Sequence, residues 1–162
     1  MKKFLKLLPF VLFIALVVAA DQVSKYFVVE YLKPIGSVEF IPGFLSWTYA
    51  ENIGAAWSMM QGMRWVFVGL FVVLTVLVLL EYFKFHLPFT SLDRWFIAAI
   101  YAGGLGNAID RARLGYVVDM IKTEFIEFPI FNVADCFITC GCIGLMIHMI
   151  FFNKQLWKEE KK

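Results

Sequence analysis

Long apolar runs, broken by only a few carboxylates, constrain this chain more than any other feature. Of its 162 residues, 61% are hydrophobic and 17% are charged, whereas a soluble domain is only about 45–50% apolar. A run of ~20 apolar residues is long enough to cross a bilayer as a helix. The runs do not alternate in polarity, so helices are the only plausible spanning form. The sequence therefore predicts an α-helical integral membrane protein.

Four transmembrane helices account for the apolar runs. We place them at about residues 7–29, 64–83, 95–111 and 134–152, within a single membrane domain that covers residues 1–162. Basic residues in short loops favour the cytoplasmic side of a membrane. Here they gather in the N-terminal segment, the second connection and the C-terminal tail. Both termini are therefore expected in the cytoplasm, and the loop at about residues 33–63 is expected outside.

The N-terminal segment also has the layout of a secretory signal peptide, because basic residues precede an apolar stretch that ends in small residues. We expect it to be retained as the first span. Three further apolar runs follow it, and Asp21 and Lys25, just after the supposed cleavage point, are residue types that can do chemistry. In the outer loop, the alternation of Leu45–Tyr49 after the Pro42-Gly43 turn predicts a short strand on the bilayer surface.

The unusual polar residues lie near the outward ends of the predicted spans. Convergence of such groups at one depth is what an active site requires, and ionisable groups at membrane depth are costly enough to be functional by default. Asp21 and Lys25 are four residues apart on one helix face, which is the spacing of an ion pair. The set consists of Asp21, Lys25, Asn52, Asn107, Asp110, Arg111, Asp119, Asn132 and Asp135.

Two of these carboxylates are candidates for catalysis. Asp135 follows Asn132 by three residues, so an N-cap and the helix dipole explain it without any catalytic role. Asp119 lies between apolar neighbours, which is a poor place for a lone solvated acid. Two aspartates close together share a proton, so that one activates water while the other protonates a scissile amide. An aspartic hydrolase that needs no metal and no cofactor is the interpretation that uses both residues.

Residues for other kinds of hydrolytic site are scarce. The chain has only two histidines, His86 and His148, and neither is expected near the polar cluster. It has no HExxH motif, and no Ser-His-Asp set can be assembled at one depth. Cys136, Cys140 and Cys142 lack a CxxC pair and are interpreted as packing residues. The net charge of +2, without a basic patch, gives no indication of a nucleic-acid partner.

Two features of the third predicted span concern packing and charge. Ala99, Gly103 and Asn107 recur at four-residue steps, which is typical of close helix packing in membranes. Arg111 has three possible partners, namely Asp110, a substrate carbonyl or a lipid phosphate, and the sequence does not choose among them.

Two other classes of function are also compatible with these residues. A small transporter would use Asp21, Asp119 and Asp135 as proton or cation relays. It predicts carboxylates spread through the membrane, so their clustering at one side counts against it. A non-catalytic membrane scaffold would use the polar residues only to cap helices.

Five segments, in order along nearly the whole chain, have the layout of known motifs. Their patterns are D-Q-x-x-K, N-x-G-A-A-[WF], G-x-x-G-N-x-x-D-R and two segments that each end in aspartate. They are Asp21–Lys25, Asn52–Trp57, Gly103–Arg111, Gly115–Asp119 and Phe131–Asp135. Together they resemble the bacterial lipoprotein signal peptidases, also called signal peptidase II. One departure is Cys136, where many members of that family have serine.

The resemblance implies an intramembrane aspartic endopeptidase of the bacterial cell membrane, with four transmembrane helices and a small extracytoplasmic β-sheet. It would remove the signal peptide from diacylglyceryl-modified prolipoproteins by cleaving before the lipidated cysteine. Prolipoproteins, membrane lipids and a globomycin-type inhibitor are the expected partners of a monomer. The implied catalytic pair is Asp119 and Asp135. The implied substrate-binding residues are Asn52, Gly54, Asn107, Arg111 and Asn132, and Asp21 and Lys25 would give structural support.

Overall fold

The computed structural model describes residues 2–54 and 59–153, with side chains from residue 5 onward. Within these residues the chain forms a helical bundle with a small sheet at one end. The helices are α1 Lys2–Phe27, α2 Arg64–Leu80, α3 Ser91–Arg113 and α4 Val133–Phe151; the strands are β1 Ser37–Ile41, β2 Leu45–Asn52 and β3 Val117–Thr123. A π-helical turn extends α1 over Val28–Leu32, and another extends α2 over Glu81–Phe85.

Helix α3 is the centre of the bundle, because α1, α2 and α4 all pack against it. Its small residues make this possible. Ala98, Ala102 and Gly106 are buried at four-residue steps along one side of the helix, as the small-residue pattern predicts. A Cβ atom on Gly103 would lie only 2.3 Å from the backbone oxygen of Ala134 in α4. The α3–α4 contact therefore depends on glycine at this position.

A single added methyl group should test that contact. We expect Gly103→Ala to destabilise the fold by about 1–3 kcal/mol, because overpacking forces backbone atoms apart. Gly69→Ala in α2 is the matched control, since a Cβ atom there meets nothing within 4 Å. Thermal unfolding of the two variants in detergent measures the difference. Equal midpoints for both would show that α3 and α4 do not approach as closely as described.

Three helical segments of the described residues are long and apolar enough to cross a membrane. They are Leu5–Leu32, Arg64–Phe85 and Val133–Phe151. None of the α2 residues is buried within the protein, so its apolar surface needs lipid around it. The prediction of several apolar membrane helices and a small sheet is confirmed. Helix α3, the predicted third span, is 23 residues long but carries charges near both ends, and its crossing stays a prediction.

The sheet is antiparallel, with strand order β1-β2-β3. It packs on the end of α1, where Val28 and Leu32 contact Val118 and Met120 of β3. The predicted strand at Leu45–Tyr49 is part of β2, whereas β1 and β3 have no counterpart in the sequence prediction. Strand β3 contains Asp119, one of the two predicted catalytic residues, within its buried part.

Candidate active site

Helix α4 begins at the candidate site, and its first turn fixes Asp135. Asn132 is the N-cap residue: its side chain accepts a hydrogen bond from the Asp135 backbone N–H at 3.0 Å. In return, Asp135 Oδ2 accepts one from the Asn132 backbone N–H at 3.1 Å. This is the capping box that the Asn132–Asp135 spacing predicts. The other oxygen, Oδ1, accepts a hydrogen bond from Asn107 Nδ2 at 2.8 Å.

Asp119 reaches the same place from β3. Its Oδ1 accepts a hydrogen bond from Asn132 Nδ2 at 2.6 Å, and its Oδ2 accepts one from Asn52 Nδ2 at 3.0 Å. Asn132 therefore connects the two aspartates directly, through its side chain to Asp119 and through its cap to Asp135. Asn132 Nδ2 also donates to Asn107 Oδ1 at 3.2 Å. Three asparagines thus hold two carboxyl groups in one hydrogen-bonded cluster.

Both aspartates line one cavity of about 720 Å³ between α2, α3 and α4. Its polar end consists of the two carboxyl groups with Asn52, Asn107 and Arg111. Most of the remaining wall is apolar. From α2 it includes Phe67, Leu70, Phe71 and Leu74, and from the segment before α4 it includes Phe128, Pro129, Ile130 and Phe131. The cavity suits an apolar ligand whose reactive group lies at the polar end.

The Asp119 carboxyl is almost fully buried, with 2% of the residue exposed. Burial raises the pKa of Asp119 from 3.8 to about 6, and the negative charge of Asp135 adds to the increase, while the hydrogen bonds from Asn52 and Asn132 oppose it. A carboxyl with this pKa is half-protonated near pH 6 and stays protonated in a minority of molecules at neutral pH, far more than an ordinary aspartate does. The arrangement can therefore supply both a protonated and an ionised carboxyl group.

The raised pKa of Asp119 also predicts how stability changes with pH. The folded state favours the neutral carboxyl, so its contribution is fully present below about pH 4 and is lost as the pH rises through about 6. The difference between the two pKa values corresponds to at most about 3 kcal/mol. We expect the thermal midpoint to fall between pH 4 and pH 8, and this part of the fall to vanish in Asp119→Asn. Identical pH profiles for both proteins would contradict the assignment.

A second cluster lies behind the aspartates, around the fully buried Lys25 in α1. Lys25 Nζ lies 2.9 Å from Asp21 Oδ2, 2.9 Å from Asp110 Oδ2 and 2.9 Å from Asn107 Oδ1. Asp21 Oδ1 accepts a hydrogen bond from the Ala134 backbone N–H at 3.0 Å.

Asp110 makes the equivalent contact on the other side, because its Oδ2 accepts a hydrogen bond from the Val118 backbone N–H at 3.2 Å. Val118 and Ala134 immediately precede Asp119 and Asp135. One lysine therefore bridges two carboxylates, and each carboxylate holds the backbone beside one candidate catalytic residue.

Arg111 does not pair with Asp110, whose carboxylate binds Lys25 and Gln22. Instead, Arg111 Nη2 donates a hydrogen bond to the Gly54 carbonyl at 2.7 Å, and its guanidinium lies 4.6 Å above the Phe67 ring. Arg111 thus attaches the end of the β2 loop to the wall of the cavity. Of the three partners considered from the sequence, Asp110 is excluded by this geometry.

The nine predicted site residues all lie in this region. Asn52, Asn107, Arg111, Asp119 and Asp135 line the cavity. Gly54 and Asn132 lie behind the cavity, where Gly54 accepts a hydrogen bond from Arg111 and Asn132 donates one to Asp119. Asp21 and Lys25 belong to the second cluster, behind the aspartates.

Asp110 belongs to the predicted polar set and Gln22 to the D-Q-x-x-K segment, but neither has a role assigned from the sequence. The structure shows that both complete the Lys25 cluster. The Ala55–Trp57 part of the second motif and the basic tail after residue 153 lie outside the described residues.

No group of three or more His, Cys, Asp or Glu side chains is placed to hold a metal ion within residues 5–54 and 59–153. The three cysteines are free, and Cys140 and Cys142 are exposed on α4. Their interpretation as packing residues predicts buried side chains, and the exposure of Cys140 and Cys142 does not agree with it. Cys136 is partly buried beside Asp135, and both Cys136 and Cys140 line the candidate cavity.

The fold and the site define a helical membrane protein with two hydrogen-bonded carboxyl groups at the polar end of an apolar cavity. The chain belongs to the signal peptidase II family, because the family model described as "Signal peptidase (SPase) II" matches residues 13–151. Lipoprotein signal peptidases from Streptococcus pyogenes serotype M1 and serotype M18 (strain MGAS8232) are each 44% identical to it over 155 residues. These alignments cover 93% of this chain and 94% of each relative.

Solved structures agree with this membership. Two structures, both described as a bacterial membrane enzyme studied by the in meso method, are similar to this chain at 34% sequence identity. For the first, the TM-score is 0.79, and the alignment covers 95% of this chain and 93% of the matched chain. For the second, the TM-score is 0.76, and the alignment covers 89% of this chain and 94% of the matched chain. The chain is therefore a protease of a bacterial membrane enzyme family. The transporter and scaffold alternatives are set aside.

Proposed function

We propose that this protein hydrolyses the peptide bond before the diacylglyceryl-modified cysteine of a prolipoprotein, with Asp119 and Asp135 as the catalytic pair. Membership of the signal peptidase II family and the names of the relatives support the removal of signal peptides from lipoproteins. The observation that carries the residue assignment is the shared contact through Asn132, which holds both carboxyl groups at one end of one cavity.

The chemistry needs one carboxyl group ionised and the other protonated. Burial raises the pKa of Asp119, which favours it as the proton donor, whereas the N-terminus of α4 favours a negative charge on Asp135. Asp135 then accepts a proton from the attacking water, and Asp119 donates its proton to the scissile carbonyl. When the C–N bond of the tetrahedral intermediate breaks, the proton held by Asp135 passes to the leaving amine, which is the amino group of the lipidated cysteine. One hydroxyl proton of the intermediate returns to Asp119 as the new carboxyl group forms, so both aspartates regain their starting states.

The shape of the cavity supports a substrate with one reactive and several apolar parts. Its α2 wall, including Phe67 and Phe71, is suited to the apolar segment of a signal peptide or to acyl chains. Asn52 and Asn107 line the cavity beside the carboxyl pair, to which their amides donate hydrogen bonds, and this supports a role for both in positioning the peptide backbone. Because the lipid anchor confines the scissile bond to the membrane boundary, the substrate reaches the carboxyl pair without a search in three dimensions.

The arrangement in the membrane is part of the proposal. We infer four transmembrane helices, including α3, in a single domain over residues 1–162, with both termini in the cytoplasm and the sheet on the outer side. The 23-residue α3 is about 35 Å long, which is enough to span the hydrocarbon core. The protein would act as a monomer among membrane lipids, and a globomycin-type cyclic peptide would compete for the cavity.

A gel-shift assay tests the proposed reaction. The purified protein is incubated in detergent with a prolipoprotein whose cysteine carries diacylglycerol, and with the same precursor left unmodified. We expect only the lipidated precursor to lose its signal peptide. Cleavage of both at equal rates would remove the requirement for the lipid, and cleavage of neither would refute the proposed activity.

A further inference from the structure

A second groove lies at the opposite end of the bundle from the aspartates. It runs between α1 and α2 over the surface of α3 and has a volume of about 230 Å³. Its walls are almost entirely apolar and include Phe10 and Val11 of α1, Val78 of α2, and Ile97 and Ala98 of α3. Helices α1 and α2 both pack against α3, and the groove is the space between them.

One ion pair lies at the mouth of this groove. Arg94, in the first turns of α3, has Nη2 3.5 Å from Glu81 Oε1, which is a loose contact for a salt bridge. The Arg94 side chain is 37% exposed and the Glu81 side chain is 14% exposed. In the part of the chain that the structure describes, Arg94 Nε and Glu81 Oε1 are buried without a hydrogen-bond partner.

The hydrogen bonding of this ion pair is incomplete for a partly buried position. Buried polar groups are nearly always hydrogen-bonded, and each one that is not costs free energy. Charged groups near the membrane boundary are particularly costly without partners. Arg94 Nε and Glu81 Oε1 are themselves covered, so a ligand would meet the remaining, exposed part of the two side chains. The exposed part of the Arg94 guanidinium can donate to an anion, and the exposed part of Glu81 can accept from a donor beside that anion. A ligand with an apolar chain, a phosphate and a hydrogen-bond donor would satisfy all three features.

We propose that this groove is a binding site for one membrane phospholipid. An acyl chain occupies the groove between α1 and α2, the phosphate binds Arg94, and a donor group of the headgroup binds Glu81. The difference in exposure between the two side chains supports this occupant. The more exposed Arg94 guanidinium can contact the bulky phosphate, and the less exposed Glu81 carboxylate can contact a smaller donor group. With the orientation proposed above, the lipid belongs to the cytoplasmic leaflet, on the side of the membrane opposite the candidate active site.

Native mass spectrometry of the purified full-length protein tests this site without any substrate. The delipidated protein is mixed with equal amounts of phosphatidylethanolamine, phosphatidylcholine or diacylglycerol of the same acyl chains. We expect one phosphatidylethanolamine to be retained, phosphatidylcholine to be retained more weakly because choline has no hydrogen-bond donor, and diacylglycerol to be lost. Arg94→Gln should weaken phosphatidylethanolamine retention by about tenfold, because it removes a charge-assisted phosphate contact.

Two further variants separate the site from general effects. Arg113→Gln removes an exposed arginine at the other end of α3 and should retain lipid as the wild type does. Val11→Trp places a large side chain in the groove from an exposed position on α1 and should lower the retention of phosphatidylethanolamine and phosphatidylcholine without unfolding the protein. Equal retention of diacylglycerol and phosphatidylethanolamine, or unchanged binding by Arg94→Gln, would overturn the proposal. Neither result would affect the proposed protease activity.

Discussion

Replacement of either Asp119 or Asp135 by asparagine should abolish cleavage of a lipidated precursor. Each asparagine retains the size of the side chain but can neither hold the shared proton nor accept one from water. General acid–base catalysis by a positioned group typically contributes about 10²–10⁴-fold, and here both roles depend on the pair. A gel-shift time course on the diacylated precursor measures the loss, and recovery from the membrane fraction measures insertion, which we expect to be normal.

Asp93→Asn is the matched control for these variants. Asp93 is also fully buried, but it lies at the opposite end of the bundle, where it contacts His148 at 2.6 Å and Asn153 at 2.7 Å. Its replacement removes a buried carboxylate far from the candidate site. The variant should lose stability but keep its cleavage rate per folded molecule. If Asp119→Asn or Asp135→Asn cleaved the precursor at nearly the wild-type rate, the proposed catalytic pair would be wrong.

The helices and the first turn of α4 could be predicted because their signals are local. Apolar runs of membrane-spanning length define α1, α2 and α4, and the Asn132–Asp135 spacing defines the cap. The ion pair of Asp21 and Lys25 follows from their separation along one helix face. The apolar runs are continuous segments, and the residues of the cap and of the ion pair lie within four positions of one another. Each pattern is therefore contained in one stretch of sequence.

Strand β3 could not be predicted in the same way. Val117, Val118, Asp119 and Met120 are all buried, so the segment lacks the polar–apolar alternation that indicates a strand. Its hydrogen-bond partner is β2, where Ala50 pairs with Asp119 across a long stretch of chain. A bulge between Trp47 and Ala50 shifts the register further. The placement of a catalytic candidate therefore depends on tertiary pairing that no local pattern indicates.

Asp110 illustrates the same limit within the site. Its neighbour Arg111 is the obvious partner by proximity in the sequence, yet the structure pairs Asp110 with Lys25 of α1. Buried carboxylates need compensating charge wherever the fold provides it, and only the packing of α1 on α3 reveals this partner. Asp110 also accepts a hydrogen bond from the Val118 backbone N–H, beside the proposed catalytic residue Asp119.

Lys25→Met should therefore cost both stability and activity. The variant leaves Asp21 and Asp110 buried without their cation, and breaking a buried ion pair in this way typically costs about 3–5 kcal/mol. The two carboxylates would then no longer be held at a fixed separation, so their contacts with Ala134 and Val118 should loosen. Thermal unfolding in detergent and the cleavage rate of the lipidated precursor measure the two effects. Lys33→Met is the control, because its ion pair with Glu51 is exposed to solvent and exposed ion pairs contribute little to stability.

A triple variant separates the structural effect from the positioning effect. Adding Asp21→Asn and Asp110→Asn to Lys25→Met removes the two uncompensated charges, so most of the lost stability should return. Activity should return much less, because Lys25 Nζ also contacts Asn107 Oδ1 at 2.9 Å and so orients the amide that donates to Asp135. A lower kcat with little change in KM is expected from misplacement of the catalytic pair. Full recovery of kcat together with stability would mean that Lys25 only balances charge and does not position the aspartates.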